Sequence, residues 1–257
     1  MTTLYLLTDF GYQDYYAGAL KGVIKSMCPR AEVVDISHGV RSFDVRHGAF
    51  ILWQTIKWIE RNSIIVGVVD PGVGTSRDPI IVRSGNYTFV GPDNGLFWPS
   101  VQSIGSFDVY KIDLRGTGLA EKRTGTFDGR DVFAPVAAML ACGKSPDELG
   151  FEKKSMEKID LWRVRKEEGR IFGEIRNIDR FGNIVTNIPW SYVGFENAII
   201  RVKNSIGRAR RSPHYGYRGL LMIRGSNDLL EISLARGSAS EALNADINDE
   251  ISLEVID

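Results

Sequence analysis

The first 150 residues alternate between strand-like and helix-like segments, and this alternation restricts the folds open to the chain. A short apolar run at residues 4–7 leads through a polar turn into helical periodicity from residue 16 to 27. Strands are predicted at residues 32–36 and 63–69, with an apolar helix between them at 48–59. This order is typical of a parallel or mixed sheet flanked by helices. Further strands are predicted at residues 80–82, 87–90 and 109–112, and a buried helix at 132–141.

The pattern changes after Gly150. Residues 152–158 are charged, and we place a linker near residues 152–163. Beyond it, short strand-like runs are separated by Gly, Pro and Asn turns without long helices, as in a small β-barrel or sandwich. The sequence therefore predicts an α/β domain with a mixed sheet flanked by helices at residues 1–152, and an all-β, barrel-like domain at residues 164–257. The strands of the second domain are predicted at residues 171–178, 183–188, 198–202, 219–223, 230–233 and 250–255.

The charge balance argues against two classes of partner. Lys+Arg and Asp+Glu both number 32, so the formal net charge is zero. The one basic cluster, Arg208, Arg210 and Arg211, is predicted to be a solvated loop. We therefore expect neither nucleic acid nor an anionic membrane surface as the main partner.

Cysteine, histidine and the opening residues predict a cytoplasmic protein without a metal. The apolar run that opens the chain is too short for a signal sequence or a membrane span. Two cysteines, Cys28 and Cys142, are too few for a disulfide framework or a cysteine-rich zinc site. His38, His47 and His214 lie far apart without metal-binding spacing. We expect a reducing cytoplasm and no metal.

Asp9 follows the first predicted strand, where open α/β sheets usually bind ligands. A carboxylate at this position can accept two hydrogen bonds from a ribose diol. The alternative is that Asp9 caps the helix that starts near Tyr15. A GxGxxG dinucleotide motif is missing after this strand.

A second carboxylate, Asp70, ends the strand at residues 63–69 and opens a glycine-containing loop that reaches Arg77. The glycines allow close backbone approach, so the loop can fold back and pair Arg77 with Asp70. The pair can serve chemistry, or it can be a structural clip that closes the loop. Asn94 lies in a turn signature, Pro-Asp-Asn-Gly. By itself this signature indicates only a turn, and it points to a site only together with Asp9, Asp70 and Arg77.

Three further turns carry polar side chains. Asp128 or Asp131 can cap the predicted helix at 132–141. The turn at residues 177–183 is compatible with a plain hairpin. The segment 236–240 offers hydroxyls and backbone groups, and it is equally compatible with a helix start.

Taken in order, six motifs resemble one family. They are TDFG, DPGVGTxR, PDNG, TFxGRDxF, IDxFGNxxTN and ARGSAS, and they span nearly the whole chain. The sequence is similar to the S-adenosylmethionine hydroxide adenosyltransferases, relatives of the fluorinase and chlorinase. The resemblance implies an N-terminal α/β domain, a C-terminal β-barrel, and a homotrimer whose ligand lies between the N-terminal domain of one subunit and the C-terminal domain of its neighbour. It also implies displacement of methionine from the ribose C5′ by water, giving adenosine and L-methionine without a metal or added cofactor.

The resemblance also assigns roles to residues. It implies Asp70 and Arg77 beside the attacking water, with an uncharged residue in place of Asp70 in halogenating relatives. Asp9 matches the ribose-diol carboxylate. The other implied contacts are Phe43 near the ribose, Asn94 in the PDNG motif, Asp179 for the methionine ammonium, Asn183 for the adenine edge with Phe181 beside it, Ser226 for the methionine carboxylate, Arg236 and Ser238 for adenine, and Tyr215 for stacking on adenine.

One position departs from the family pattern. The family sequence TFHGRD has His where this chain has Asp128. Two carboxylates around one arginine can share Arg77, or raise the pKa of one carboxyl so that it becomes a better base near neutral pH. The change is also compatible with reduced hydrolysis and therefore with a protein that binds the ligand without turnover. We predict that Asp128 lies within reach of Arg77 or of the water site.

Overall fold

The structure, a computed structural model, describes residues 2–256 and divides into two compact units after Ile159. This division lies inside the segment that the sequence predicts as a linker. The first unit contains seven strands and four α-helices among its described residues. They are β1 (Thr3–Thr8), α1 (Tyr16–Met27), β2 (Glu32–Ser37), α2 (Val45–Thr55), β3 (Ile64–Val68), β4 (Pro79–Ser84), β5 (Tyr87–Pro92), α3 (Trp98–Ile104), β6 (Phe107–Ile112), α4 (Ala134–Ala141) and β7 (Gly150–Lys153).

The sheet of the first unit is mixed, as predicted. Its strand order is β2-β1-β3-β5-β4-β6-β7; the first four strands are parallel, and β4, β6 and β7 pair antiparallel with their neighbours. Leu4 and Leu6 alternate onto one face, where they join a buried cluster with Leu20 of α1 and Val136 of α4. The prediction of an α/β domain with a helix-flanked sheet is therefore confirmed.

Local chemistry explains where the observed elements differ from the predicted ones. Helix α2 begins at Val45, before the predicted start, because the Asp44 side chain accepts a hydrogen bond from the His47 N–H at 2.9 Å and caps the helix. The short helix α3 and the edge strand β7 were not predicted. Seven residues in α3 and four in β7 carry too little periodicity to identify an element.

The second unit is a closed β-barrel. Its elements are β8 (Arg165–Glu167), β9 (Arg170–Ile178), β10 (Ile184–Pro189), β11 (Asn197–Val202), β12 (Ser205–Arg211), β13 (Leu220–Arg224), β14 (Leu229–Leu234), α5 (Ala239–Ala242) and β15 (Glu250–Ile256). The strands run in the order β10-β14-β13-β12-β11-β15-β9, and β9 pairs with β10 to close the ring. Strand β8 is attached to the outside of the ring by its pairing with β9. The prediction of an all-β, barrel-like domain is confirmed.

One prediction about backbone structure was wrong. The basic cluster Arg208, Arg210 and Arg211 lies on strand β12, although Arg208 and Arg210 are exposed as expected. Alternation along this strand buries Ala209 between them, and the arginines point the other way.

The two cysteines form a disulfide, which the sequence did not predict. Cys28 follows the last residue of α1 and Cys142 follows the last residue of α4. Because these helices pack on each other and end side by side, their Cα atoms lie 5.9 Å apart despite a sequence separation of 114 residues. Among the described residues, no helix has the length and apolar character needed to cross a membrane.

Candidate functional site

Two carboxylates meet at the carboxyl ends of neighbouring strands in the first unit. Strands β1 and β3 are parallel, and Thr8 is in register with Val68. Asp9 and Asp70 follow these strand ends, and both line a cavity of about 400 Å³. Phe43, Phe127 and Asp128 line the same cavity. The carboxyl ends of parallel strands are the usual ligand site of such sheets.

Asp9 holds the loop that carries Phe43. Its Oδ2 accepts a hydrogen bond from the Phe43 N–H at 2.8 Å. Phe43 has a φ of 65°, which is uncommon for a bulky residue, and the residue is 72% exposed. Helix α1 receives no capping hydrogen bond from a side chain, so Asp9 is not its cap.

The pKa of the Asp9 carboxyl is raised above its ordinary value. Burial in the cavity is the main cause, and the negative charge of Asp70 adds to it, while the Phe43 N–H acts in the opposite direction. The ionisation of Asp9 therefore depends on its burial, on the charge of Asp70 and on the hydrogen bond from Phe43.

Asp70 and Arg77 form the predicted pair. Arg77 donates from Nε to Asp70 Oδ1 at 3.0 Å, and its Nη2 donates to Asp70 Oδ2. The loop between them turns back through Gly74, which has a φ of 79° and would place a Cβ 2.7 Å from the Gly125 carbonyl oxygen. A residue with a side chain would not fit there, so glycine is what allows the loop to return. Both side chains of the pair are nearly buried.

Asp128 lies against Arg77, as predicted. Its Oδ2 accepts a hydrogen bond from Arg77 Nη2 at 2.6 Å, and the residue is 1% exposed. Asp128 precedes a π-helical turn, Gly129–Phe133, but its side chain makes no capping hydrogen bond. Asp131 instead binds Thr124 and Arg130. Neither aspartate is therefore a helix cap.

Arg123 completes this charged group, and the sequence did not indicate it. It donates from Nε to Asp128 Oδ1 at 2.6 Å and from Nη2 to Asp128 Oδ2 at 2.7 Å. The pKa of Arg123 is raised above its ordinary value, chiefly by the hydrogen bond to Asp128. Arg123 lies outside the recognisable motifs, in a segment with no regular structure, so no sequence signal pointed to it.

Asn94 lies beside the site without lining the cavity. Its Nδ2 donates to the Val69 carbonyl at 2.8 Å, and its Oδ1 accepts from the Leu96 N–H at 3.2 Å. The first bond ties the turn after β5 to the residue that precedes Asp70, and the second lies within the turn. The contact of Asn94 with substrate stays a prediction.

His38 was considered only as a metal ligand, but it is fully buried beneath the Asp9 loop. Its Nδ1 lies 2.6 Å from the hydroxyl of Thr8, and its Nε2 lies 3.1 Å from Asp35 Oδ1. Asp35 also accepts hydrogen bonds from Lys21 and Tyr12. The ring thus connects the end of β1 to β2.

A second cavity, of about 590 Å³, lies in the barrel unit. Asp179 shapes its rim: Oδ1 accepts from the N–H groups of Phe181 and Asn183, and Oδ2 accepts from Asn183 Nδ2 at 2.8 Å. Phe181 is 77% exposed. The turn is thus more than a plain hairpin, because it presents an aromatic ring and an amide to one cavity. Of the residues predicted to bind substrate, five line it: Asp179, Phe181, Asn183, Tyr215 and Arg236.

Tyr215 is anchored by a residue that the sequence did not indicate. Its hydroxyl donates to Glu231 Oε1 at 2.8 Å, and Ser233 donates to the same oxygen at 2.9 Å. Burial and the Glu231 carboxylate raise the pKa of Tyr215 to about 12. The ring therefore stays a neutral phenol with a fixed position on the cavity wall.

Ser238 and Ser226 differ in their surroundings. Ser238 caps α5, accepting from the Glu241 N–H at 3.0 Å, and packs against Gly182, where a Cβ would lie 2.2 Å from its Oγ. It neighbours the cavity through Gly237. Ser226 is exposed in the turn between β13 and β14, outside the cavity lining. The contacts of both serines with substrate stay predictions.

Among residues 2–256, no group of three or more His, Cys, Asp or Glu side chains is arranged to hold a metal ion. The chain is a two-unit protein, one α/β and one β-barrel, with a cavity in each unit. Two family profiles cover most of it. Residues 4–150 match the SAM hydroxide adenosyltransferase N-terminal domain, and residues 173–252 match the C-terminal domain. The chain belongs to this family.

The chain is similar over nearly its whole length to two S-adenosyl-L-methionine hydrolases and to one solved structure. The (R)-S-adenosyl-L-methionine hydrolase of Thermus thermophilus is 34% identical over 95% of this chain and 96% of its own length. The hydrolase of the same name from Methanocaldococcus jannaschii is 34% identical over 96% and 94%. A crystal structure of an uncharacterized conserved protein from Thermotoga maritima superposes with a TM-score of 0.89 at 32% identity, covering 98% of this chain and 100% of that one. The fluorinase of Actinoplanes sp. is more distant, at 25% identity over 71% of this chain and 70% of its own.

Proposed function

We propose that the protein hydrolyses S-adenosyl-L-methionine to adenosine and L-methionine. The observation that carries the proposal is the Asp70–Arg77 pair beside Asp9 at adjoining strand ends, in a chain of this family. In the reaction, a water oxygen attacks the ribose C5′, the C5′–sulfur bond breaks, and its electron pair stays on the sulfur of methionine. The water loses one proton, which passes to a neighbouring carboxylate and then to solvent.

The substrate itself supplies much of the reactivity. A sulfonium leaves as a neutral thioether, so no general acid, metal or added cofactor is required by this proposal. The protein's tasks are to align water with the C5′–sulfur bond and to remove the bulk solvent around it. Arg77 Nη1 is a buried donor without a hydrogen-bond partner among the described residues. We assign the positioning of water to Asp70 and Arg77.

The remaining contacts follow from the two cavities. In the first unit, we assign the ribose diol to Asp9 and the ribose face to Phe43. In the second unit, we assign the methionine ammonium to Asp179. The adenine is assigned to Asn183, Phe181, Tyr215, Arg236 and Ser238. Ser226 is assigned to the methionine carboxylate. Each unit then holds only part of the ligand. We therefore propose that each active site joins the first unit of one subunit to the second unit of a neighbour, in the homotrimer that the family resemblance implies. We also propose a cytoplasmic location.

Asp128 supports a second candidate function. Asp128 is a buried carboxylate at the position where the family pattern has His. A protein that binds the ligand without turnover would tolerate such a replacement beside the water site. Halide-dependent adenosyl transfer is disfavoured because Asp70 would repel an attacking anion. A chlorinated nucleoside formed only in the presence of chloride would reverse that ranking.

The decisive experiment incubates purified protein with S-adenosylmethionine and follows adenosine and methionine by chromatography. We expect equal amounts of both products, and a rate reduced by at least about 100-fold in Asp70→Asn, which loses the charge but keeps the shape. Asp108→Asn removes an exposed carboxylate that pairs with Arg83 and is the matched control; we expect its rate to be unchanged. Tight ligand binding without product would favour the binding protein, and an active Asp70→Asn would remove Asp70 from the mechanism.

A further inference from the structure

Four charged side chains form an alternating row at the cavity of the first unit. Asp70 pairs with Arg77, Arg77 pairs with Asp128, and Asp128 pairs with Arg123. Two carboxylates and two guanidinium groups give the row a net charge of zero. Asp128 is nearly inaccessible to solvent, so its charge has to be balanced by these neighbours.

The hydrogen bonds in the row are shared unequally. Asp128 accepts two hydrogen bonds from Arg123 and one from Arg77. Arg77 directs both Nε and Nη2 to Asp70, and only Nη2 to Asp128. Asp128 is therefore held mainly by Arg123, and the Arg77 fork stays on Asp70.

We infer that Arg123 is a positioning residue for the reaction: by binding Asp128 with two donors, it leaves Arg77 on Asp70 beside the attacking water. The inference rests on the proposed function. Without Arg123, the buried Asp128 would have Arg77 as its one remaining cationic partner in the row, and Arg77 would be drawn away from Asp70. It also assigns Asp128 the role of balancing the guanidinium groups of Arg77 and Arg123.

The first test is the variant Arg123→Met, which keeps the length of the side chain and removes its charge. We expect kcat to fall by about 10- to 100-fold with KM changed by less than about twofold, because the loss of charged hydrogen bonds acts on the nucleophile rather than on substrate binding. The control is Arg83→Met, which removes an arginine from an exposed pair with Asp108 and is expected to leave both constants unchanged. A rise in KM alone, or an unchanged kcat, would overturn the inference.

A double-mutant cycle separates positioning from simple stability. In the background Asp128→His, Arg123 has no carboxylate at that position to hold, so adding Arg123→Met is expected to change kcat by less than about twofold. An equal loss of kcat in both backgrounds contradicts the inference. Arg123→Lys keeps the charge without the two-donor fork and is expected to give an intermediate kcat; it takes the place of Arg123→Met if that variant does not fold.

A structural measurement keeps the inference separate from the proposed function. If the unmodified protein releases no adenosine, hydrolysis is refuted, and the position of Arg77 decides the remaining question. A crystal structure of Arg123→Met is then expected to show the Arg77 fork withdrawn from Asp70 and turned towards Asp128. An unmoved Arg77 would refute the positioning role of Arg123.

Discussion

At the scale of single residues, the surroundings of Asp9 act on its carboxyl group in opposite directions. Its Oδ2 holds the Phe43 N–H, which fixes an aromatic side chain at a strained backbone position beside the cavity. Its carboxyl also stands near Asp70 in a partly buried place, which raises its pKa. A ribose diol that donates two hydrogen bonds would stabilise the ionised form of this carboxyl.

The raised pKa of Asp9 predicts a pH dependence of ligand binding. The carboxylate is the form that accepts hydrogen bonds, so affinity for adenosine is complete above the raised pKa of Asp9 and is lost as the pH falls through it. The loss starts at a higher pH than an aspartate with the ordinary value of 3.8 would show. Titration calorimetry between about pH 4 and pH 8 measures this.

The variant Asp9→Asn supplies the comparison. It is expected to bind adenosine about 10-fold more weakly near neutral pH and to lose most of the acid-dependent change. Asp108→Asn, at a remote exposed position, is expected to follow the unmodified protein. An identical acid-dependent loss in Asp9→Asn would show that another group titrates.

At the scale of elements, helices α1 and α4 are held together both by packing and by a covalent bond. They pack against each other beside strands β1 and β3, and the Cys28–Cys142 disulfide joins their carboxyl ends. The closed loop includes most of the unit, so the bond restricts a long stretch of the unfolded chain.

Removal of this disulfide is expected to lower stability without changing the site. For a loop of roughly 100 residues, the chain-entropy argument gives a loss of up to about 4–5 kcal/mol in the free energy of unfolding. Urea denaturation of Cys28→Ser/Cys142→Ser measures it, and the unmodified protein with a reductant should give a similar loss. An unchanged midpoint in both samples would contradict a stabilising disulfide.

A separate experiment, mass spectrometry of alkylated protein, would show what fraction of the protein forms the disulfide in cells. This last result bears on the proposed cytoplasmic location, because disulfides are rare in the cytosol of mesophiles but common in intracellular proteins of hyperthermophiles.

At the scale of the whole molecule, each unit has its own hydrophobic core. The barrel buries a separate cluster that includes Ile175, Ile200, Ile232 and Leu253. Its ring closes by pairing β9 with β10, so the seven strands of the ring have no open edge between them. A unit with a closed hydrogen-bond network and its own core meets the physical requirements for independent folding.

We therefore expect residues 160–257, expressed alone, to fold. The fragment should show a β-sheet circular dichroism spectrum and one cooperative urea transition. The control is the same fragment with Ile200→Asp, which buries an unpaired charge in the core and should remove the transition. A gradual, non-cooperative change in the unaltered fragment would mean that the barrel depends on the rest of the chain.

The sequence by itself determined the parts of this protein that depend on local patterns. Helix α1 was predicted with its observed bounds, and the strands β1 and β3 were predicted within one residue of theirs, because period and turn residues are local properties. The placement of Asp9 and Asp70 at strand ends followed from the same patterns. The predicted pairing of Asp70 with Arg77 joins residues only seven positions apart, through a loop that glycine allows to turn back.

Only the tertiary structure decided which distant residues meet. The Arg77–Asp128 hydrogen bond spans 51 residues, and the predicted proximity of these residues depended on the family motif rather than on any local pattern. The Cys28–Cys142 bond and the Tyr215–Glu231 hydrogen bond carried no motif, and neither was predicted. Arg123 is close to Asp128 in sequence, but its side chain reaches that carboxylate from a segment without regular structure. The contacts between residues distant in sequence share one physical reason: strand order and helix packing bring the partners together, and both are set by burial of the whole core rather than by the neighbouring sequence.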